Sequence, residues 1–286
     1  MVSQALKSFI LISILFLTGC VSSNFGNRPD VQAFIQHVSQ KDNFNQSDLT
    51  TLFNQVHPRP VYVHKENHAA ERTASWEHYR AIFMTRSRIH AGRVFWREHQ
   101  AALNQAQQEY GVDPAVIIGI LGVETEYGEY MGKYRVIDSL STLAFNYPSR
   151  EPYFRGELEQ YLLLTRELHK NPLDLYGSYA GAMGYPQFMP TAYRTLAVSQ
   201  TPNQLPDLFN NPDDAILSIA NYFHNKGWIP NKRPAVPLRS HQRHAVLFGN
   251  QYWHLYHNFE VIKRYNNSDY YAMAVYQLGQ KIQQGL

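Results

Sequence analysis

The sequence has a single cysteine, Cys20, among its 286 residues. A lone cysteine excludes an intrachain disulfide, so this residue needs another explanation. The formal net charge is only +3, and no basic run is interleaved with aromatic residues, so nucleic acid is not an expected partner. Thirteen histidines occur, but the close pairs His241/His244 and His254/His257 lack a convincing set of further ligands. No metal or other cofactor is therefore expected.

The apolar run near the start of the chain is too short to be a permanent membrane span. It extends from Phe9 to Leu17, follows Lys7, and leads into the letters LTGC that end at Cys20. This order is typical of a signal peptide, and LTGC resembles a bacterial lipobox, in which cleavage leaves the cysteine as a lipid-bearing N-terminus. We therefore expect residues 1–19 to be a signal peptide and residues 20–29 to be a lipidated N-terminus and tether. An unprocessed signal anchor is the alternative.

Lipidation would determine where the protein is located. Several acyl chains on Cys20 hold a protein firmly on a membrane. By analogy with bacterial sorting, Val21 after the cysteine favours the outer membrane of a two-membrane bacterium, with the body of the protein facing the periplasm. Removal of residues 1–19 takes away Lys7 and leaves 25 basic against 23 acidic side chains, a formal charge of +2. This small charge does not change the conclusion about nucleic acid.

Helical spacing of apolar residues predicts that most of the chain is helical. The segment 61–84 fits no single pattern and is expected to be extended and then loop. Gly249-Asn250 is a two-residue turn between β-rich runs, which predicts a hairpin, and residues 259–265 are expected to form a further strand. Asp30 and Ser47 are the expected N-caps of the first two helices. Further helices are expected to begin at Arg86 (one long helix to Tyr110 with His99 as a satisfied core histidine), at Pro114, at Ser149 or Arg150, at Pro212 and at Ser268.

The stretch GVETEYGEYMG, residues 122–132, places three glutamates at the end of an apolar helix. Glu124 continues the apolar stripe of that helix, whereas Glu126 and Glu129 fall on other faces. A carboxyl group on a core-facing stripe is desolvated, which raises its pKa toward the range useful to a general acid. The alternative is a structural residue that snorkels at the helix end or pairs with a buried arginine. The stripe comprises Ile117, Ile120 and Leu121, behind an expected N-cap at Asp113.

Three further stretches combine small residues, aromatic rings and amides. GSYAGAMGYPQFMP, residues 177–190, lets another chain approach its backbone closely and offers Gln187 for hydrogen bonds to a sugar. A close helix-packing segment is the alternative. The other two stretches, NYPSREPYF and KRYNNSDYYAMAVYQLG, contain residue types that are individually more common in turns and cores than in ligand contacts. The candidates from the three stretches are Tyr179, Tyr185, Tyr147, Arg150, Tyr153, Tyr265, Asn266 and Tyr271.

Taken together, these motifs resemble the B-type membrane-bound lytic murein transglycosylases of the goose-lysozyme-like superfamily. The resemblance covers about Val31 to the C-terminus, and it implies a mainly α (α+β) fold with a lysozyme-like helical catalytic core. The implied division is an N-terminal helical region at 30–110, the core at 111–228, a reduced β-hairpin region at 229–262 and a helix at 263–286 that returns to the core. The resemblance is carried in order by GVETEYGEYMGKYRVIDSLSTLAFNYPSREPYFRGELEQYLLL, GSYAGAMGYPQFMP, AILSIANYFHNKGW and VIKRYNNSDYYAMAVYQLG.

The resemblance also implies an enzyme that cleaves peptidoglycan glycan strands between N-acetylmuramic acid and N-acetylglucosamine. Glu124 matches the single catalytic acid/base, which protonates the bridging oxygen and then takes the proton of the muramoyl C6 hydroxyl as it closes on C1. Arg150 matches one of a pair of arginines on the peptide-bearing side, but its neighbour here is Ser149. The positions that match the glycan groove are Ser178, Gln187, Tyr222, Asn266 and Tyr271, to which the aromatic stretch adds Tyr265.

This chain departs from the family pattern in two places. Members often carry an EF-hand-like calcium loop before the DAI helix, but residues 199–211 lack a credible acidic set, so the site is expected to be lost. The small β-rich domain is expected to be reduced to the span between Trp228 and Tyr252. A lysozyme-type hydrolase with water as acceptor and a non-catalytic peptidoglycan-binding lipoprotein stay open as alternatives. Cell-wall synthesis or hydrolysis enzymes are candidate partners.

Overall fold

The computed structural model describes residues 24–67 and 74–286. The predicted signal peptide, the lipobox and Cys20 lie outside these residues. Within the described ranges, no helix has both the length and the apolar character needed to cross a bilayer. The helices are α1 (Pro29–Asp42), α2 (Gln46–Phe53), α3 (Val61–Asn67), α4 (Trp76–Phe83), α5 (Arg86–Glu98), α6 (Gln100–Tyr110), α7 (Pro114–Thr125), α8 (Val136–Asn146), α9 (Glu151–Glu167), α10 (Pro190–Leu196), α11 (Pro212–Asn225), α12 (His257–Lys263) and α13 (Asp269–Gln283). The strands are β1 (Tyr134–Arg135), β2 (Tyr176–Gly177), β3 (Ala235–Leu238), β4 (Val246–Phe248) and β5 (Gln251–Leu255).

The helix α7 lies at the centre of the fold and is buried on all faces from Pro114 to Gly122. Its predicted N-cap is confirmed, since Asp113 Oδ1 accepts from the Ala115 N–H at 2.9 Å. The helix α13 packs along α7 so closely that glycine is required on both sides. A Cβ on Gly119 would lie 2.3 Å from a carbonyl oxygen of α13, and a Cβ on Gly279 would lie 1.9 Å from a carbonyl oxygen of α7. These two helices therefore hold each other at a fixed distance.

The remaining helices enclose this pair. The helix α8, which was not predicted, packs against α9. The helix α11 packs against α6. An aromatic cluster joins the N-terminal helices to α8, with the rings of Phe34 and Phe145 5.7 Å apart. Phe25 belongs to the same cluster, also 5.7 Å from Phe145. The predicted tether at 20–29 is therefore wrong for its last residues, because burial of the Phe25 ring fixes them on the core.

Several predicted helix starts need small corrections. The helix α1 begins at Pro29, one residue before Asp30. The N-cap of α2 is Asn45, whose side chain accepts from the N–H of Ser47, so Ser47 lies inside the helix instead of capping it. A short 3-10 helix at Pro148–Arg150 precedes α9. The predicted starts of α11 and α13 are confirmed.

The segment 61–84 was predicted to be extended and then loop, and this is wrong where the segment is described. It contains α3 and α4. Tyr62 on α3 is buried, with its ring 5.1 Å from that of Tyr134. Trp76 and Tyr79 on α4 are buried, and the Ser75 side chain caps α4. The β-branched and aromatic residues favour strand locally, but packing against the core overrides that preference.

The long helix predicted from Arg86 to Tyr110 is two helices that meet at His99. Its backbone has φ −110° and ψ 23°, which ends α5 and begins α6. His99 Nδ1 lies 2.6 Å from Asp213 Oδ1, so the expectation of a satisfied histidine is confirmed. The strand predicted at 259–265 is also wrong, because Phe259 and Ile262 are buried at helical spacing on α12.

The strands β3, β5 and β4 form an antiparallel sheet in that order. The predicted hairpin is confirmed: β4 pairs with β5 across Gly249-Asn250, and Gly249 has φ +61°, which favours glycine. The strand β3 was not predicted, and the sheet extends to Leu255. A second, two-residue ladder pairs Tyr134 with Gly177 and lies beside the groove described next.

Candidate active site

A groove of about 950 Å³ opens where five parts of the chain meet. They are the end of α3, the end of α7, the segment 150–154 at the start of α9, the loop 178–189 and the segment 264–270 that enters α13. The groove contains six of the eight residues that the family resemblance and the last aromatic stretch assign to the site, and it also contains the candidates Tyr153 and Tyr179. Its lining includes Glu124, Arg150, Ser178, Gln187, Tyr265 and Asn266.

Glu124 lies in the last turn of α7, where the helix leaves the core. The apolar stripe does not distinguish it, because α7 is buried all round from Pro114 to Gly122. Its position distinguishes it: Glu124 is half-buried and lines the groove. The partial negative charge at a helix C-terminus disfavours a carboxylate there, which helps a carboxyl group to hold a proton.

The end of α7 is fixed by Thr125 and by two left-handed residues. Thr125 Oγ1 lies 3.1 Å from the carbonyl oxygen of Tyr185 in the groove wall and accepts from the Gly128 N–H at 3.1 Å. Glu126 and Tyr127 follow with φ of 51° and 63°. The chain therefore turns away directly after Glu124, so that this glutamate faces the groove while Glu126 does not line it.

Tyr271 holds the carboxyl group of Glu124 from behind. Its hydroxyl donates to Glu124 Oε1 at 2.5 Å, and its ring stacks on that of Tyr265 with the centroids 6.2 Å apart. Burial, and then the charge of Glu124, raise the pKa of Tyr271 well above its ordinary value. The phenol therefore keeps its proton at neutral pH and donates the hydrogen bond.

Among the residues that the structure describes, two other carboxylates line the groove, and each forms an ion pair with a basic side chain. Glu66 of α3 forms an ion pair with Arg150, and Asp269 forms one with Lys263 at 2.8 Å. Glu126 lies outside the groove and pairs with Arg88 at 2.9 Å. Glu66 was missed by the sequence analysis, because the segment that carries it was interpreted as extended and its partner is 84 residues away.

Ser178 and Gln187 shape the wall of the groove. Ser178 Oγ accepts from the N–H groups of Ala180 and Ala182 at 3.2 and 3.0 Å. Gln187 has φ 50°, and its Nε2 donates to Met131 O at 3.1 Å and to Gly184 O at 2.9 Å. The alternative of a helix-packing segment is therefore wrong for residues 177–189, which form an irregular loop with isolated bridges.

Tyr222 and Tyr271 do not line the groove but support residues that do. The Tyr222 ring lies 4.8 Å from that of Tyr265, and its hydroxyl donates to Arg264 O at 2.9 Å. Burial raises the pKa of Tyr222 to about 12. Tyr265 in turn donates to Pro186 O at 2.6 Å, which ties the last segment of the groove to the loop wall.

The carboxylates around the loop 199–211 accept hydrogen bonds from the backbone of that loop. Asp214, 2% exposed, accepts from the N–H of Gln200 at 2.7 Å and from the N–H of Asp207 at 2.8 Å. Asp207 itself accepts from the N–H of Phe209 at 3.0 Å. The carboxylates around the loop thus hold its own backbone, and the described residues contain no group of three or more His, Cys, Asp or Glu placed to hold a metal.

Comparison with known proteins identifies the fold. The transglycosylase SLT domain family matches residues 26–250 and 247–280. Membrane-bound lytic murein transglycosylase B of Escherichia coli K12 is 38% identical, over 92% of this chain and 85% of that protein. The soluble lytic transglycosylase SltB1 of Pseudomonas aeruginosa superimposes with a TM-score of 0.85 at 36% identity, covering 90% of this chain and 99% of that one.

Two solved structures of the Escherichia coli lytic transglycosylase Slt35, one with bulgecin A and one with calcium, are also similar. Each superimposes with a TM-score of 0.83 at 38% identity, covering 92% of this chain and 95% of the other. The mainly helical fold with small antiparallel sheets is shared with them. The match over most of the chain, in sequence and in structure, shows that this protein belongs to the lytic murein transglycosylase B family.

Proposed function

We propose that this peptidoglycan lytic transglycosylase cleaves the β-1,4 bond between N-acetylmuramic acid and N-acetylglucosamine with Glu124 as its only acid/base. The observation that supports this proposal is the hydrogen bond from Tyr271 to Glu124 inside the groove. Among the described residues, the other two carboxylates that line the groove form ion pairs with Arg150 and Lys263. We therefore assign proton transfer to and from the bound glycan to the carboxyl group of Glu124.

The first step is protonation of the bridging oxygen by the Glu124 carboxyl group. The bond between C1 of the muramoyl residue and that oxygen breaks, and the N-acetylglucosamine side leaves as an alcohol. The bond from Tyr271 fixes one carboxyl oxygen, so the group keeps one orientation through the step. The carboxylate that results is stabilised by the same hydroxyl, because a donor to the charged form favours that form.

The second step uses a nucleophile within the substrate. Glu124, now a carboxylate, accepts the proton of the muramoyl C6 hydroxyl, and the C6 oxygen bonds to C1 to give a 1,6-anhydro sugar. Glu124 regains its proton and is ready for another cycle. Glycosidases that use water or an enzyme nucleophile need a second carboxylate. An intramolecular nucleophile is already placed beside C1, so no second carboxylate is required.

We further propose that the residues around Glu124 bind the glycan. Ser178, Gln187 and Asn266 supply polar groups on the wall of the groove, and Tyr265 supplies an aromatic ring supported by Tyr222. Tyr271 positions Glu124, as described above. Arg150, whose guanidinium lies over the Tyr153 ring at 4.6 Å, is the candidate contact for the peptide-bearing side.

Product mass tests the proposed reaction. Purified sacculi digested by the enzyme should release muropeptides that end in 1,6-anhydromuramic acid, lighter by one water than products of hydrolysis. Mass spectrometry of the released fragments separates the two. Fragments with reducing muramic acid ends only would support a lysozyme-type hydrolase on this scaffold, and no release by folded protein would support a binding lipoprotein.

We also propose that the enzyme is an outer membrane lipoprotein that faces the periplasm. The support is the LTGC sequence and the lone Cys20. Cys20→Ala should abolish acylation and move the protein from the membrane fraction to the soluble fraction. Membrane fractionation and mass spectrometry of the mature N-terminus measure both effects. A Cys20→Ala protein that still carries acyl chains would contradict the proposal.

A further inference from the structure

A second groove of about 850 Å³ lies apart from the catalytic groove. Its walls are α4, the hairpin of β4 and β5, and the last turns of α13. Among the residues that the structure describes, the two grooves share no lining residue. Its volume is within the range of ordinary ligand sites.

Three glutamines project into the second groove from one face of α13. Gln277, Gln280 and Gln284 are three and four residues apart, which aligns them along the helix. Gln277 Oε1 accepts from Arg80 Nε at 2.6 Å, which links this face to α4. Every primary amide offers both donors and an acceptor, the groups that hydroxyl and N-acetyl substituents need.

The opposite walls of the second groove are aromatic. Trp76 and Trp253 line it from α4 and β5. The Trp253 indole N–H is buried and has no hydrogen-bond partner among the described residues. Aromatic surface facing a row of amides suits a sugar ring, which has apolar C–H faces and a polar edge.

The charges of the second groove nearly cancel. Arg80 and Lys281 are cationic and Glu77 is anionic, which leaves one net positive charge. A single excess charge close to solvent attracts an anion only weakly. The amides and rings therefore determine what binds, and they favour an uncharged glycan over an acidic peptide.

One aromatic layer separates the two grooves. Tyr270 lines the catalytic groove, and its ring lies 5.4 Å from that of Trp76 and 6.3 Å from that of Phe248. Trp76 and Phe248 line the second groove. The two grooves are therefore adjacent, with the Tyr270 ring between them.

We propose that the second groove binds a further segment of β-1,4-linked N-acetylhexosamine glycan and so holds the enzyme on its polymeric substrate. This inference rests on the proposed function, because the ligand is the same polymer. Two sites joined by one chain raise the local concentration of substrate at each of them, without any new contact in the catalytic groove.

The test is ¹⁵N nuclear magnetic resonance of the Glu124→Gln protein titrated with the N-acetylglucosamine tetramer. The Trp253 indole signal, identified by its absence in Trp253→Phe, reports the second groove. The backbone amides of Ser178 and Asn266 report the catalytic groove. We expect both sets to shift. Adding Gln277→Ala with Gln280→Ala should raise the tetramer concentration needed to shift Trp253 about tenfold, because two hydrogen bonds are lost.

Gln108→Ala is the matched control, because Gln108 is an exposed helical glutamine on α6 that lines neither groove. It should leave both sets of shifts unchanged. A Trp253 signal that stays fixed while Ser178 and Asn266 shift would overturn the second site and leave the proposed function standing. Signals that all stay fixed would count against glycan binding in both grooves. A Trp253 shift caused by a sugar-free stem peptide, and not by the tetramer, would overturn the ligand class.

Turnover gives an independent readout. In the otherwise unchanged enzyme, Gln277→Ala with Gln280→Ala should slow the solubilisation of sacculi severalfold. Cleavage of a soluble glycan just long enough to fill the catalytic groove should be unchanged, because such a chain gains nothing from the second groove. Equal slowing on both substrates would show that the substitutions act on the catalytic groove, and the second site would be rejected.

Discussion

Glu124 and Asp214 are carboxylates at opposite ends of two helices, and the structure holds them in opposite ways. Asp214 is in the first turn of α11, where the helix dipole stabilises a negative charge, and both of its oxygens accept backbone N–H groups. Glu124 is at the end of α7, where the dipole disfavours that charge, and it accepts a hydrogen bond from the side-chain hydroxyl of Tyr271. Asp214 thus holds the backbone of its own loop, whereas Glu124 is held by a side chain and lines the groove.

Glu124→Gln should give the largest effect of the substitutions that test this difference. The amide keeps the shape of the side chain but cannot donate or accept the proton, so release of anhydromuropeptides should fall by about 10⁴-fold. Unfolding in urea should be nearly unaffected. Glu126→Gln and Glu129→Gln are the matched controls and should keep most activity. Near wild-type release by folded Glu124→Gln would show that another group moves the proton.

Asp214→Ala should act on stability and not on chemistry. It leaves the N–H groups of Gln200 and Asp207 without an acceptor, so the free energy of unfolding should fall by about 3 kcal/mol. Asp214→Asn keeps one acceptor oxygen and should lose less. Urea denaturation measures the change, and activity per folded molecule should stay at the wild-type level. An unchanged denaturation midpoint would mean that the loop does not depend on this carboxylate.

Tyr271→Phe should have a smaller effect, about a tenfold loss of kcat, because one hydrogen bond to a charged group is removed. The pH–rate profile separates positioning from general damage. Without the hydroxyl, the charged form of Glu124 is less stable, so the alkaline limb of the profile should move to higher pH. A lower rate with an unmoved profile would indicate that Tyr271 only packs behind the groove.

Addition of calcium should have the smallest effect. The loop carboxylates already hold backbone amides, so we expect no change in Tm or activity. A binding site saturated at a hundredfold its dissociation constant would add about 2.7 kcal/mol to the free energy of unfolding. A thermal melt with calcium, compared with one in a chelator, measures this. A clear rise in Tm would show that Asp214 exchanges its amide partners for the ion.

The features that sequence predicted correctly are those with local causes. The cap and first residue of α7, the turn at Gly249-Asn250 and the amphipathic α13 each follow from neighbouring residues. The motif itself offered Gln187 and the family resemblance added Ser178, and both residues line the groove. Their roles in binding stay predictions.

The features that sequence did not predict depend on distant contacts. The strand propensity of Val61 to Val63 is outweighed by the burial of Tyr62 against β1. Glu66 enters the groove only because α3 packs beside α8, and its partner Arg150 is 84 residues away. The apolar stripe of α7 does not select Glu124 either, because this helix is buried on all faces from Pro114 to Gly122. The position of the end of α7 in the fold determines that Glu124 reaches the groove.

The close approach of α7 and α13 at Gly119 and Gly279 makes the reaction sensitive to substitutions outside the catalytic groove. Tyr271 is on α13 and Glu124 on α7, so the spacing of these helices determines whether the hydroxyl reaches the carboxyl group. One added methyl group at Gly279 would push the helices apart and lengthen the hydrogen bond from Tyr271 to Glu124. Gly279 itself is about two helical turns along α13 from Tyr271. Random mutagenesis for loss of activity should therefore recover substitutions at both glycines, although neither touches the glycan.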